Sequence, residues 1–403
     1  MPERILILGA GQAGAALAAK LRALGHAGPV TLVGEEAAPP YQRPPLSKKY
    51  LLGEIGPERL WLRPPEFYAE QGIDLVLGAE AVAIDRAARS VALADGRRLS
   101  YDALALTTGS RPRLLPDAIG GGLGGVYPVR SLADVDRMAP EFRPGASVLI
   151  VGGGYIGLEA AAVAAAKGLE VTLIEAAPRI LQRVAAPETS DYFRDLHRGR
   201  GVDLREGVGL ARLEGEGRVA RAVLADGASL DVDFVIVGIG ILPNAEIAAA
   251  AGLPAANGIE VDEFCRTADP AIHAAGDCAL FPWRGRTIRL ESVQNAIDQA
   301  EAAAATMLGQ GAAYDPVPWF WSDQYDVKLQ IAGLNLGYDR TVRRPGAGAA
   351  NSVWYYAGPR LLAVDAMNDP RAYMVGKRLI EAGKSPAPEA VADPAGDLRA
   401  LLA

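Results

Sequence analysis

Two stretches of the chain are built to one plan. "RILILGAGQAGAALAAKLRALG", Arg4 to Gly25, and "SVLIVGGGYIGLEAAAVAAAKG", Ser147 to Gly168, each join a short β-branched or leucine-rich run to a glycine triplet and an alanine-rich helix ending in glycine. Each is followed by another apolar run, "VTLVGE" (Val30 to Glu35) and "VTLIEA" (Val171 to Ala176). The hydrophobic pattern changes from a short continuous run to a helical repeat and back, which is the strand, turn, helix, strand unit of a parallel sheet. Two such units predict two nucleotide-binding domains of α/β type. With 403 residues, half of them hydrophobic, the chain is long enough for two or three domains with ample apolar surface to bury.

The glycines carry the chemistry of these turns. Gly9, Gly11 and Gly14 form one G-x-G-x-x-G, and Gly152, Gly154 and Gly157 form the other. The first glycine permits a tight turn and the second lets the backbone approach a pyrophosphate. The third lets helix and strand pack closely, while the helix N-terminus stabilises the anion. An acid stands near the end of each following strand, Glu35 in one unit and Glu175 in the other, where a carboxylate accepts from the ribose hydroxyls and repels a 2′-phosphate. Glu36 reads as a solvated neighbour. The segment after Glu175, "AAPRIL", offers no paired arginine for a 2′-phosphate, so NADH is expected in preference to NADPH.

Elsewhere the pattern is of shorter strands. "SVALADG" and "VLADGASLDVDFVIVGIG" are broken by the hairpin dipeptides Asp95-Gly96 and Asp226-Gly227. An alanine-rich helix from about Ile297 to Leu308 stops at Gly and Pro, after which "WFWSDQYDVKLQIAG", "SVWYYAG" and "RLLAVDAM" predict a strand-rich α+β region. The last stretch, "GKSPAPEAVADPAGDLRALLA", is expected to be a loosely held tail with a short helix. A net charge of −7 argues against a nucleic-acid binder. Two cysteines, Cys265 and Cys278, supply neither a disulfide framework nor a metal set, and no apolar run approaches the roughly 18 residues of a membrane span. The expectation is a cytoplasmic protein with no membrane anchor and no metal.

Seven segments, in order, carry a resemblance: "YQRPPLSKKYL", "TTGSRPR" (Thr107 to Arg113), "VGGGYIGLE" (Val151 to Glu159), "VGIGILPN" (Val237 to Asn244), "AAGDCA" (Ala274 to Ala279), "ESVQNA" (Glu291 to Ala296) and "PWFWSDQY" (Pro318 to Tyr325). Over nearly its whole length the chain resembles the FAD-dependent, NADH-using ferredoxin reductases of haem-thiolate monooxygenase and ring-hydroxylating dioxygenase systems. The resemblance implies an α/β, glutathione-reductase-like fold with two Rossmann-type nucleotide-binding domains plus a C-terminal α+β domain. The FAD domain would be discontinuous, residues 1–112 and 242–316, with the NAD domain at 113–241 and the C-terminal domain at 317–403. It further implies that FAD is held by the first glycine loop with Ala13, and by Glu35, Arg43, Lys48, Val82, Thr108, Gly109, Arg130, Asp277 and Val293. NADH would be held by the second loop with Tyr155 and Ile156, and by Glu159, Glu175 and Gly240. A carboxylate such as Asp277 can bind a ribityl hydroxyl, and a helix beginning near Val293 can aim its N-terminal dipole at the flavin.

The resemblance gives the proline-rich segment Pro39 to Leu51 its meaning. Disulfide reductases of this fold carry cysteines just before a Pro-Ser-Lys-like sequence, whereas this chain has Pro44, Pro45, Leu46, Ser47 and Lys48. Without a thiol there, reduced FAD is expected to deliver electrons one at a time to an external carrier, a two-iron two-sulfur ferredoxin. Cys265 and Cys278 read as inert packing residues. Lys48 and Glu159 are expected in the active site, Glu159 on the first turn of the second nucleotide helix and facing the nicotinamide carboxamide. Alternation puts Trp319 and Trp321 on one strand face. The resemblance sets Trp321 over the flavin's other side, though core packing accounts for the pair equally well. His26, His197 and His273 show no partner spacing and read as structural. Rubredoxin reductase is an alternative differing in acceptor, and an apoptosis-factor-like NADH-binding flavoprotein a further one. A monomer or weak dimer is expected, and Arg43, Lys49, Arg371, Lys377, Arg378 and Lys384 are candidates for a basic face that meets an acidic ferredoxin.

Overall fold

The structure, a computed structural model, describes residues 2–402. It gathers into two compact units. The first runs up to Gln42 and continues through Gly56–Arg111 and Ile241–Pro316; the second comprises Arg43–Ile55, Pro112–Gly240 and the chain from Val317 onward. The proline-rich stretch from Arg43 thus clusters with the second unit.

The first unit is built on a five-stranded parallel sheet in the order Ile272–Ala274, Ala103–Leu106, Ile5–Leu8, Val30–Val33, Ile73–Val76. Its central strand, Ile-Leu-Ile-Leu, is buried on both faces, as a continuous rather than alternating apolar run requires. The helix Gln12–Ala23 and the helix Val293–Met307 share one core, in which Ala13, Ala18, Ala296, Ala300, Ala303 and Ala304 meet around Leu17 and Leu21. Methyl-sized side chains let such helices approach closely, and each fully buried leucine adds about 1.5–3 kcal/mol. The second helix begins at Val293, four residues earlier than its alanine pattern suggests, because Ser292 caps it by accepting from the Asn295 N–H at 3.1 Å. A three-stranded antiparallel sheet, Ala81–Asp85, Ser90–Leu93 and Arg98–Ser100, turns at Asp95-Gly96, where Gly96 has φ +90°.

The second unit repeats the parallel plan in the order Asp203–Glu206, Glu170–Glu175, Ser147–Val151, Phe234–Val237, Val126–Pro128. A hairpin at Asp226-Gly227 joins Arg221–Leu224 to Ser229–Asp231. A five-stranded antiparallel sheet follows, in the order Trp319–Gln324, Val327–Gly333, Arg360–Met367, Asn351–Ala357, Arg340–Pro345. The helix Pro370–Glu381 packs on it, burying Tyr373, Val375 and Leu379 against Trp354 and Val364.

One strand carries no signal in the sequence, and one expectation is overturned. The strand Arg340–Pro345 escaped the sequence reading because three arginines and a proline hide its alternation, a pattern tolerated at a sheet edge. The tail is not loosely held. Val391 and Leu398 enter the core, and the buried Arg344 guanidinium donates to the carbonyls of Val391 (2.9 Å), Asp393 and Gly396 (2.7 Å). A desolvated cation needs those acceptors, so the tail is tied to the sheet's edge strand.

Candidate active site

In the first unit the glycine loop has the geometry that a pyrophosphate demands. Gly9 adopts φ +111°, and a Cβ there would stand 2.1 Å from the Thr107 carbonyl oxygen. A Cβ on Gly14 would stand 2.1 Å from the Gly9 oxygen, whereas one on Gly11 would meet nothing within 4 Å. The loop is therefore closed on its protein side and open at the helix N-terminus, where Gly11 caps without a side-chain partner and leaves N–H groups for an anion. A dinucleotide pyrophosphate fits this cradle. Ala13 is buried beside Gly276, whose Cβ would lie 3.1 Å from the Ala13 methyl.

The other expected FAD residues of this unit take varied positions. Thr108 exchanges hydrogen bonds with Asn244, the Asn244 amide donating to the Thr108 carbonyl at 3.0 Å, and the Gly109 carbonyl accepts from the Asn244 N–H at 2.9 Å. Asp277 accepts from the Ser110 hydroxyl at 2.7 Å. Val82 is 48% exposed on its strand, and Val293 opens its helix. Glu35 is exposed, whereas Glu36, read as a solvated neighbour, is half-buried and accepts from the Tyr41 hydroxyl at 2.6 Å. Cys265 and Cys278 are both buried, and burial drives both thiols up, Cys265 to about 12. Neither supplies a thiolate near neutral pH.

The second unit has the matching loop. Gly152 adopts φ +111° with a Cβ position 2.4 Å from the Gly238 oxygen, that of Gly157 falls 2.0 Å from the Gly152 oxygen, and that of Gly154 is open. A dinucleotide pyrophosphate fits this cradle as it does the first. Glu175 ends its strand with one carboxylate oxygen accepting from Gly153 N–H and the other from Ala177 N–H, both at 2.7 Å. Two large aliphatic side chains lie open at the carboxyl ends of adjacent strands: Ile156 is 43% exposed and Ile239 38%. Ligands of parallel sheets bind at such ends. Ile239 was missed because a single apolar residue between glycines gives no periodic signal. Gly240 has φ +102°, and its carbonyl accepts from Arg113 N–H. The Tyr155 ring packs on Phe320 at 4.8 Å, and its enclosed hydroxyl has no protein partner.

Also within this unit, the structure brings Lys48 and Glu159 together. The Lys48 ammonium lies 3.0 Å from Glu159 Oε1 and 3.8 Å from Asp323. Glu159 is only 4% exposed. Ser322 donates to its Oε1 at 2.7 Å and Ser47 to its Oε2 at 2.8 Å. Burial pushes its carboxyl above the usual range, opposed by the Lys48 charge and by the Ser322 and Ser47 hydroxyls. The helix begins at Tyr155, so Glu159 lies in its second turn, not its first. Arg43 donates to the Arg130 carbonyl at 2.8 Å. Trp319 and Trp321 do share a face, their ring centroids 5.6 Å apart. Lys377 sits over Trp319 and beside Glu381, and Lys384 donates to the Leu402 carbonyl. Arg371 and Arg378 are exposed. Among the described residues there is no metal-binding cluster, and no helix is long and apolar enough to cross a membrane.

The chain is similar to known proteins along nearly its whole length. Residues 3–300 match the family described as pyridine nucleotide-disulphide oxidoreductase, and residues 319–402 match the reductase C-terminal family. The chain is 43% identical to rhodocoxin reductase of Rhodococcus erythropolis, covering 99% of this chain and 94% of that protein. It is 41% identical to putidaredoxin reductase of Pseudomonas putida, covering 100% and 97%. The solved structure of a putidaredoxin reductase, in covalent complex with putidaredoxin, superposes with a TM-score of 0.96 at 41% identity over 99% of this chain and 98% of that one. With two nucleotide cradles, no reactive thiol and relatives of this closeness along its full length, the chain belongs to the pyridine nucleotide-disulphide oxidoreductase family, among its FAD- and NAD(P)H-dependent ferredoxin reductases.

Proposed function

We propose that this chain takes hydride from NADH, in preference to NADPH, and delivers single electrons to a two-iron two-sulfur ferredoxin that feeds a monooxygenase or dioxygenase. FAD, when bound, supplies the chemistry that accepts an electron pair and releases it singly. The functional division is residues 1–112 with 242–316 for FAD, 113–241 for NADH, and 317–403 as the C-terminal domain, acting as a cytoplasmic monomer or weak dimer.

The observation that carries this reading is the state of Glu159. A carboxylate has about four acceptor positions. Lys48 and Ser322 occupy those of Oε1, and Ser47 takes one on Oε2. One position on Oε2 is left for an amide N–H, which suits a nicotinamide carboxamide. Holding that amide aims the ring and supplies near-attack geometry for hydride transfer, while Lys48 offers ammonium donors beside it. Glu175 has its loop-facing lone pairs committed to Gly153 and Ala177, and the remaining pairs suit ribose hydroxyls but oppose a 2′-phosphate. Trp321 is proposed to border the flavin. Relatives named as reductase components of anthranilate and p-cumate dioxygenase systems support the oxygenase connection.

Anaerobic titration of the purified yellow protein with NADH should bleach its visible bands, and the reduced protein should then reduce a two-iron two-sulfur ferredoxin in preference to a rubredoxin. Bleaching without ferredoxin reduction would sink the acceptor assignment. A faster reaction with rubredoxin would replace it.

A further inference from the structure

The strand Trp319–Gln324 carries its indoles on one face and its polar chemistry on the other. Phe320, Ser322 and Gln324 alternate on that face, and Ser322 and Gln324 are fully buried. Phe320 meets Tyr155, and Ser322 meets Glu159 one helical turn further along the same helix. Gln324 Nε2 lies 3.3 Å from Ser322 Oγ, His197 Nε2 lies 2.9 Å from Gln324 Oε1, and the Tyr325 hydroxyl lies 3.2 Å from His197 Nδ1. His197 belongs to the helix Pro187–Gly199 and is itself completely buried. The ring of Tyr325 lies under the Arg200 guanidinium at 5.1 Å, on the partly exposed side of the strand end.

Elementary hydrogen-bond accounting fixes the direction of this chain. An ionised Glu159 can only accept, so the single Ser322 proton points to it. Ser322 Oγ is then an acceptor for the Gln324 amide N–H, which leaves the Gln324 oxygen to accept from His197 Nε2–H. His197 Nδ1 is thereby the acceptor for the Tyr325 hydroxyl. Every donor points toward Glu159, and successive donors of this kind polarise one another.

We propose that Ser322, seated by Gln324 and His197, is a positioning residue for Glu159, and that this one-way donor chain is what aims the carboxylate at the nicotinamide end of the dinucleotide. The proposal rests on the reading of Glu159 as the carboxamide acceptor. Two further observations agree with the assigned directions. Burial holds His197 below the usual histidine range, and so in its neutral form with one donor and one acceptor. The Ser322 hydroxyl counters the upward push of burial on Glu159. The other ionisable groups around the carboxylate are Lys48, which also meets Asp323, and Tyr155 on its own helix, with Asp365 beyond it.

The test is the ionisation of Glu159 in the FAD-loaded protein, read in two ways. Difference infrared spectroscopy follows the protonated carboxyl band without NADH, using Glu159→Gln to assign it; stopped flow follows the pH profile of flavin reduction. Ser322→Ala should raise the midpoint of both by about one to two pH units, since a hydrogen bond to a charged group has been removed. The sign follows from the donor favouring the ionised form: its loss lets Glu159 protonate at higher pH, so the acidic limb of activity moves toward neutrality. Ser322→Thr, which keeps the hydroxyl, should restore the wild-type midpoint, and Gln324→Leu should shift it in the same direction by less. If Ser322→Ala does not accumulate as folded protein, Gln324→Leu carries the measurement. An infrared midpoint unmoved by Ser322→Ala, or by Gln324→Leu in its place, overturns the donor chain. Wild-type reduction by Glu159→Gln overturns instead the carboxamide reading, while the infrared midpoint still judges the chain.

Discussion

The two glycine loops invite comparison, because their backbones match and their functions part at two side-chain positions. Gly9 N–H donates to the Val33 carbonyl as Gly152 N–H donates to that of Ile174, so Gly34 occupies in the first unit the place that Glu175 holds in the second. The loop residues facing those places differ inversely. Ala10 faces Gly34, whose Cβ would fall 2.6 Å from the Ala10 methyl; Gly153 faces Glu175 and donates its N–H to the carboxylate. A side chain is permitted on one partner or the other. The first unit's acids are consequently displaced to Glu35 and Glu36, past the strand end. The second difference is at the helix position two beyond the third glycine, which is Ala16 in the first unit and Glu159 in the second. Ala16 packs against an alanine-rich apolar core, whereas Glu159 is held by an ammonium and two hydroxyls. One helix start is apolar and the other carries a buried, ion-paired carboxylate.

The largest test of that contrast is a methyl group at the third glycine of each loop. A Cβ about van der Waals radius inside a backbone oxygen costs roughly 1–3 kcal/mol or more in displaced structure. Gly14→Ala should yield protein largely without flavin, seen as loss of visible absorption. Gly157→Ala should stay yellow but be reduced by NADH about tenfold to a hundredfold more slowly at a fixed sub-saturating NADH concentration. Colourless protein from both variants would break the assignment of one cofactor to each loop.

Next in size is the pair that only the second unit carries. Glu159→Gln and Lys48→Ala should each retain FAD and slow flavin reduction, by up to about a hundredfold if the ring is misplaced by an ångström. Stopped-flow rates equal to wild type in both would remove them from the site. A smaller effect belongs to Glu175. NADH should exceed NADPH in kcat/KM by at least about tenfold, or about 1.4 kcal/mol, and Glu175→Ser should narrow the ratio. A ratio unchanged by the substitution would return the discrimination to other residues. Least of all should depend on the thiols. Cys265→Ala with Cys278→Ala should leave NADH-driven ferricyanide reduction within about threefold of wild type, because both lie buried in the first unit with protonated sulfur. Loss of turnover with flavin still bound would show a thiol on the electron path.

The legible parts of the molecule were those encoded over short distances. Two βαβ units, the turns at Gly96 and Gly227 and the strands around Trp354 can be read from runs of ten to thirty residues. The exchange of Ala10 and Gly34 for Gly153 and Glu175 was not legible, since it depends on the register of neighbouring strands. Nor were Ser322, Gln324 and His197, which look like ordinary polar residues until the antiparallel strand and the helix Pro187–Gly199 set them beside Glu159. The tail was misread because its anchor, Arg344, lies 47 to 52 residues earlier along the chain. Polar side chains acquire meaning from partners that composition does not name.

One feature of the first sheet bears on how the protein is made. Its strand Ala103–Leu106 pairs on one side with Ile5–Leu8 and on the other with Ile272–Ala274, so the outer strand is synthesised long after its neighbour. Extending a flexible closure of this kind costs only about 0.6 kcal/mol for each doubling of length, but it slows the search for the native pairing. During translation the sheet stays one strand short until Ile272–Ala274 has emerged, and most of the intervening chain, Pro112–Gly240, belongs to the other unit and is free to fold meanwhile. The late strand also delivers Asp277 to Ser110. If Asp277 holds the flavin, capture has to wait for this edge strand, and a nascent chain stalled before residue 270 should carry no colour.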